Sequence, residues 1–147
     1  MAIIISTSKD INSPKEIIWK IISDIDNDPN YWQGIRETRN LKKEGNTIER
    51  ETIISFRQSK SQEIVTFERS NQITTSIIKG PIIGKKVLKL TEISDNKCSL
   101  AVNWDIQIQG IMRMFTPMVK RHILKGTIKA IDRIAKEGEN RYNKTSV

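Results

Sequence analysis

Residues 116–137 read TPMVKRHILKGTIKAIDRIAKE and are followed by Gly138. Thr116 is placed to cap a first turn, and Pro117 suits the first helical position, where a missing N–H loses no partner. Gly138 is a natural stop. The spacing predicts one closing helix of about 31 Å. At about 100° per residue, Val119, Ile123, Gly126, Thr127, Ala130, Ile131 and Ile134 share one side, and Arg121, Lys125, Lys129, Asp132, Arg133 and Lys136 the other. Leu124, Ile128 and Ala135 widen the apolar side beyond the stripe of a surface helix. This helix is expected to be buried along one broad face, with Gly126 and Ala130 leaving room near its middle.

The chain has 147 residues, enough for one domain with a sizeable core, and no run of about eighteen apolar residues that would span a membrane. Its start, MAIIIST, lacks the basic residues and long apolar stretch of a secretory signal. A lone Cys98 permits no internal disulfide, so a reducing, cytoplasmic setting is expected and the sequon at Asn143 carries no weight. The net charge is +8, and from Met118 onward there are eight Lys/Arg against three Asp/Glu. That excess suits an anionic partner, although a solvated helix face in a basic protein explains it too.

From the N-terminus, residues 3–11 are β-prone and predict a strand. Ser13-Pro14-Lys15-Glu16 has capping-box spacing with proline at the first helical position, and the helix it opens carries Ile17, Ile18, Trp19, Ile21, Ile22 and Ile25. Asn27-Asp28-Pro29 starts a second short helix through Tyr31 and Trp32 to Gly34. Asp24, Asp26 and Asp28 alternate like the opening of a calcium loop, but Pro29 and Ile35 stand where such a loop needs glycine and a bidentate glutamate. The aspartates are expected to be caps and solvent-facing turn residues, with no metal bound.

Beyond residue 35 the period changes to two. Strands are predicted over 35–43, 47–57, 62–69, 73–79, 85–94 and 98–109, with short breaks that include 58–61 and 80–84. Short breaks mean hairpins, hence an antiparallel meander. In the last strand Leu100, Val102, Trp104, Ile106 and Ile108 alternate with Ala101, Asn103, Asp105 and Gln107. The apolar side of this sheet must be covered, and only the helices can do it.

The order strand, two short helices, six strands, long helix resembles the helix-grip fold of the START and birch-pollen-allergen superfamily (SRPBCC). Within it, the chain is most similar to the polyketide cyclase/dehydrase and lipid-transport group. The resemblance rests on Ser13-Pro14-Lys15-Glu16 leading into Ile18-Trp19, on Asp24 through Asp28-Pro29 to Tyr31-Trp32, and on the approach from Gly110 to Pro117. It covers nearly the whole chain and implies an α+β architecture: a curved antiparallel sheet of about seven strands wrapped on a long C-terminal helix. A single START-like domain over 1–147 is expected, with a flexible tail from about residue 139. The resemblance also implies a cavity between sheet and helix that takes up an apolar molecule. Carriers, receptors, cyclases and oxygenase subunits share the fold, so function must come from residues.

A pocket of this kind is mostly apolar with a few orienting polar groups. Parity selects Ile48, Thr52, Ile54 and Phe56, then Phe67, Ile73, Thr75 and Ile77. Leu88, Leu90, Val102, Trp104 and Ile106 follow, and the helix adds Met118, Val119, His122, Ile123, Gly126 and Ala130. Each also fits plain core packing. Arg50 shares the inward parity, where a lone cation is expensive. Inside, it would need a carboxylate or an anionic ligand group; near a strand end it would snorkel to water. The second is the expectation, by a small margin. Ile82 and Ile83 between glycines, and Met112, Met114 and Phe115 before the last helix, read as portal segments or as plugs. Arg113, Lys85 and Lys86 beside them would then meet an anionic membrane surface.

No glycine-rich phosphate loop, zinc spacing, nucleophile elbow or paired catalytic carboxylate is present. His122 sits at the border of the apolar and basic faces with no named partner, and Cys98 reads as a small strand-edge residue. The expectation is binding or transport of a hydrophobic small molecule or lipid, without cofactor, metal or covalent chemistry. A cyclase or dehydratase on the same fold is the alternative, to be favoured by Arg50, Glu68 or His122 found buried and mutually bonded. A basic-surface module is the third reading. Nucleic acid is not expected, because the basic residues are not interleaved with exposed aromatics.

Overall fold

The computed structural model describes residues 2–145. Strand β1 (Ile3–Ile11) leads into α1 (Lys15–Ser23), a 3-10 turn (Ile25–Asn27) and the short α2 (Asp28–Tyr31). Six strands follow: β2 (Ile35–Glu44), β3 (Thr47–Ile54), β4 (Lys60–Glu68), β5 (Gln72–Lys79), β6 (Ile82–Ser94) and β7 (Lys97–Ile108). A 3-10 stretch (Gly110–Phe115) runs directly into α3 (Thr116–Thr145). All pairs are antiparallel, in the order β1-β7-β6-β5-β4-β3-β2. The meander therefore starts at the far edge from β1 and returns to it, and the segment carrying α1 and α2 must cross the inner face of the sheet to reach β2. Register shifts in β2–β3, β4–β5 and β6–β7 add the local twist that curves the sheet.

Alternation holds where it was expected. Leu100, Val102, Ile106 and Ile108 are buried on one face of β7, as are Leu88 and Leu90 of β6. These pack with Ile11, with Ile18, Ile21 and Ile22 of α1, and with Ala130, Ile131, Ile134 and Ala135 of α3 into a closed core. A smaller cluster of Ile3, Ile5, Ile106 and Ile108, joined by Met112, Val119, Ile123 and Leu124, lies at the other end, where α3 begins. Trp104 touches both clusters.

The helix ends depart from the expectations. Pro14 holds the N-cap position of α1, and the buried Ser13 donates its hydroxyl to Pro14 O (3.1 Å), so no capping box forms. Asn12 N instead donates to Glu139 Oε2 of α3 (2.9 Å), which ties the start of α1 to the end of the last helix. Thr116 is helical rather than a cap, because the 3-10 stretch continues into α3, and its hydroxyl returns to Arg113 O (2.7 Å). Gly138 does not stop α3. It is buried against Ile18, where a Cβ would collide, so the glycine allows α1 and α3 to approach closely. The tail expected from residue 139 is helix as far as Thr145, and residues 146–147 lie outside the described residues.

Strand limits also moved. The strand expected to reach residue 57 ends at Ile54, because Ser55 turns helical and Arg57 and Gln58 take left-handed φ of 52° and 51°. The break expected over 80–84 shrinks, and Ile82 and Ile83 are half-buried strand residues of β6.

Two glycines of α3 thus test the packing in opposite senses. Gly138→Val should destabilise by about 1–3 kcal/mol through overpacking against Ile18. Gly126→Ala should stabilise by up to about 1 kcal/mol, since nothing lies within 4 Å of a methyl there. Urea denaturation of both variants checks the pair.

Candidate functional site

A belt of charges crosses the inner face between the two apolar clusters. Arg50 of β3 stands opposite Glu63 of β4 in register, and Lys86 of β6 stands between Thr75 of β5 and Trp104 of β7. Asp28 reaches the belt from α2. Arg50 donates from Nε to Glu63 Oε1 (2.8 Å) and from Nη1 to Ile25 O (3.2 Å), and its Nη2 forms an ion pair with Asp28 Oδ2 (2.9 Å). Its side chain is 1% exposed. Burial alone would lower the Arg50 pKa, but the two carboxylates more than offset it and the guanidinium stays charged. Burial outweighs Arg50 and Lys86 at Asp28, whose pKa is raised.

Lys86 is bound differently. Its Nζ lies 4.0 Å from the centroid of Trp32 and 5.3 Å from that of Trp104, the two rings meeting edge to face at 6.3 Å. Asp28 and Glu63 act on it through space, yet burial prevails and its pKa is lowered from the ordinary 10.5. Among the described residues, no side chain or carbonyl makes a direct hydrogen bond or ion pair with this ammonium. Trp104 Nε1 donates to Thr127 Oγ1 (3.0 Å), and Thr127 donates on to Ile123 O (2.7 Å), which fixes α3 over β7. Thr52, next to Arg50 on the inner side of β3, is fully buried and its hydroxyl has no partner.

Above the belt, toward the start of α3, the cover is incomplete. Ile54, Ile77, Trp104, Ile123 and Gly126 are only half-buried, although all belong to inward-facing positions. The grooves on the outer side of the sheet are of another kind. The larger, of about 300 Å³, is lined by Glu37, Thr38, Arg39, Glu51, Ile53 and Lys60, a mixed-charge surface unsuited to an apolar guest.

No family model matches the sequence and no curated protein matches it. Solved structures do, by shape. The Zhui aromatase/cyclase of a Streptomyces species superposes with a TM-score of 0.80 at 9% identity over 96% of each chain. A START superfamily protein from Mycobacterium smegmatis gives 0.73 at 18% identity, over 97% of this chain and 98% of that one. Norcoclaurine synthase from Thalictrum flavum gives 0.69 at 11% identity, over 95% and 97%. The chain shares the helix-grip fold of these structures.

Within this helix-grip frame, the expected lining residues divide. Thr52, Thr75, Leu88, Leu90 and Val102 are buried on the inner face, Leu88, Leu90 and Val102 within the closed core. Phe67 packs there too, beside Trp19. Ile54, Ile77, Trp104, Val119, Ile123 and Gly126 border the half-open end. Phe56 does not: the left-handed turn carries it outward, 44% exposed, with the Arg57 guanidinium 5.5 Å from its ring centroid. Met118 (64% exposed) and His122 point to solvent, because the first turns of α3 lean toward β1 and β7. Of the portal residues, Met112 packs inward while Met114 and Phe115 are exposed.

Four charged residues stand differently from expectation. Arg50 does not snorkel; it sits mid-strand with two carboxylates. Lys86 is not a surface cation; it shares parity with Leu88 and Leu90, the signal that places it inside. Glu63 was overlooked, although it shares parity with the buried Val65. Asp28 is not a solvent-facing turn residue like its neighbours. Asp24 accepts from Asn27 and Asp26 from Asn40, while Asp28 turns inward to Arg50.

The lowered Lys86 pKa has a measurable sign. A lysine depressed in the folded state loses stability as pH falls through its folded value, and the loss vanishes above the ordinary 10.5. Lys86→Met removes that loss. The variant should be more stable than the wild type at neutral pH, with the difference closing as pH rises toward 10.5; denaturation across that range checks it.

Proposed function

We propose that the protein binds a hydrophobic small molecule or lipid between the first half of α3 and the sheet, and carries or sequesters it without covalent chemistry. One observation bears most of the weight: inward-facing Trp104, Ile54, Ile77 and Ile123 are left half-buried, and a methyl added at Gly126 of α3 meets nothing. A guest that removed about 200 Å² of this apolar surface from water would gain about 5 kcal/mol before ordering costs. The START-like and aromatase/cyclase neighbours are consistent with such a site. At its mouth Ile111, Met114, Phe115 and Met118 are exposed beside Arg113, which supports brief contact with an anionic membrane while a guest is exchanged. Flotation with phosphatidylglycerol vesicles tests that contact.

The second reading, a cyclase or dehydratase, draws on the belt. Asp28 and Lys86 are both pushed toward their neutral forms, a shift suited to proton transfer, and Arg50 is buried and bonded to carboxylates. His122 and Glu68, the other acid–base candidates, are exposed.

Native mass spectrometry of the protein purified from its own host decides between them. The carrier reading expects an apolar guest bound one to one and recovered unchanged. Gly126→Leu, which fills the open space, should weaken the guest by about tenfold or more. A guest that is chemically converted on incubation favours the enzyme, and failure to bind any apolar guest contradicts both.

A further inference from the structure

We propose that Lys86 is the ligand's polar anchor, and that the guest is a flat apolar molecule carrying one ionised oxygen group, such as a carboxylate, sulfonate or phenolate. The inference rests on the ligand-binding reading above and adds the chemistry of the guest. Three of the four belt charges satisfy one another: Arg50 holds both Asp28 and Glu63 by direct bonds. The fourth touches only the faces of Trp32 and Trp104. An ammonium has three donors, and ring faces answer them with a fraction of the strength of an anionic oxygen.

On the side toward the start of α3, the strand beside the buried Lys86 carries little bulk. The residue preceding Lys86 on the inner face of β6 is Gly84, which presents no side chain over the ammonium. Gly84 lies between Ile77 of β5 and Ile106 of β7, so the path down to Lys86 is walled by apolar groups and floored by a cation. Half-exposed Trp104 stands beside it as a surface on which a flat ring can stack. Farther along the belt, the unpartnered Thr52 hydroxyl is a second polar group inside the same face that the protein itself leaves unused.

The test uses two fluorescent probes with the same aromatic frame. 1-Anilinonaphthalene-8-sulfonate is an anion and N-phenyl-1-naphthylamine is neutral. The wild type should bind the anion at least tenfold more tightly than the neutral probe. Lys86→Met, which is one atom shorter and removes the charge, should abolish that preference while leaving the neutral probe unchanged. A measurement on the wild type alone guards against misfolding of the variant. The groups facing Lys86 are Asp28 from α2, Glu63 from β4 and Arg50 from β3, and Arg50 is paired with both carboxylates. The affinity of the anion should therefore fall as pH rises through the lowered value of Lys86, with the neutral probe flat. Equal affinity for both probes, or an anion affinity untouched by Lys86→Met and by pH, overturns the anchor but leaves the apolar site standing. Binding of neither probe overturns both.

Discussion

A guanidinium buried on the inner face of β3, one strand in from the sheet's edge, is held by two carboxylates that reach it from different elements. Asp28 comes from α2 and Glu63 from β4, and Ile25 O adds a third acceptor. Removing such a cation from water costs several kcal/mol, which only good geometry and full pairing recover. Because the pairing spans the crossing segment and two strands, it also decides where that segment lies. Pulled down onto Arg50, α2 brings Trp32 over Lys86 and against Trp104. The interior is divided at this level into a closed half and a half-open one.

The last helix follows the same division. Its second half is fastened by Ala130, Ile131, Ile134 and Ala135 in the core, by Gly138 against Ile18, and by Lys9 to Asp132 at 2.9 Å. Its first half rests on the cluster of Ile3, Ile5, Ile106 and Ile108, through Val119, Ile123 and Leu124. Thr127, which accepts from Trp104 and donates to Ile123 O, marks the change. This asymmetry, rather than missing side chains, leaves Ile54 and Ile77 half-buried at inward-facing positions.

The architecture was legible because period-two and helical patterns report burial directly, as in β7, where each expected inward residue faces in. The belt was not, for reasons particular to its members. Asp28 sits in a turn with two other aspartates, and only the crossing path of α2 distinguishes it from them. Lys86 follows Lys85, so the pair reads as a basic surface unless the parity of Leu88 is extended through it. Arg50 shares the inward parity yet reads as snorkelling to water, because its partners lie thirteen and twenty-two positions away in sequence, beyond the reach of a local pattern. Phe56 and Gly138 failed for local reasons, a left-handed turn in one case and a close helix contact in the other.

Proteins of this shape include an aromatase/cyclase and a norcoclaurine synthase, so the frame admits more than one chemistry. In this chain the distinctive feature is a charge cluster that props one wall of the interior. Chemical denaturation of Arg50→Met tests that role most directly. The account predicts a loss of about 3–5 kcal/mol, as two buried carboxylates are left unpaired, with part of it recovered when Asp28→Asn is added. A loss below about 1 kcal/mol, with no coupling to Asp28, would contradict it.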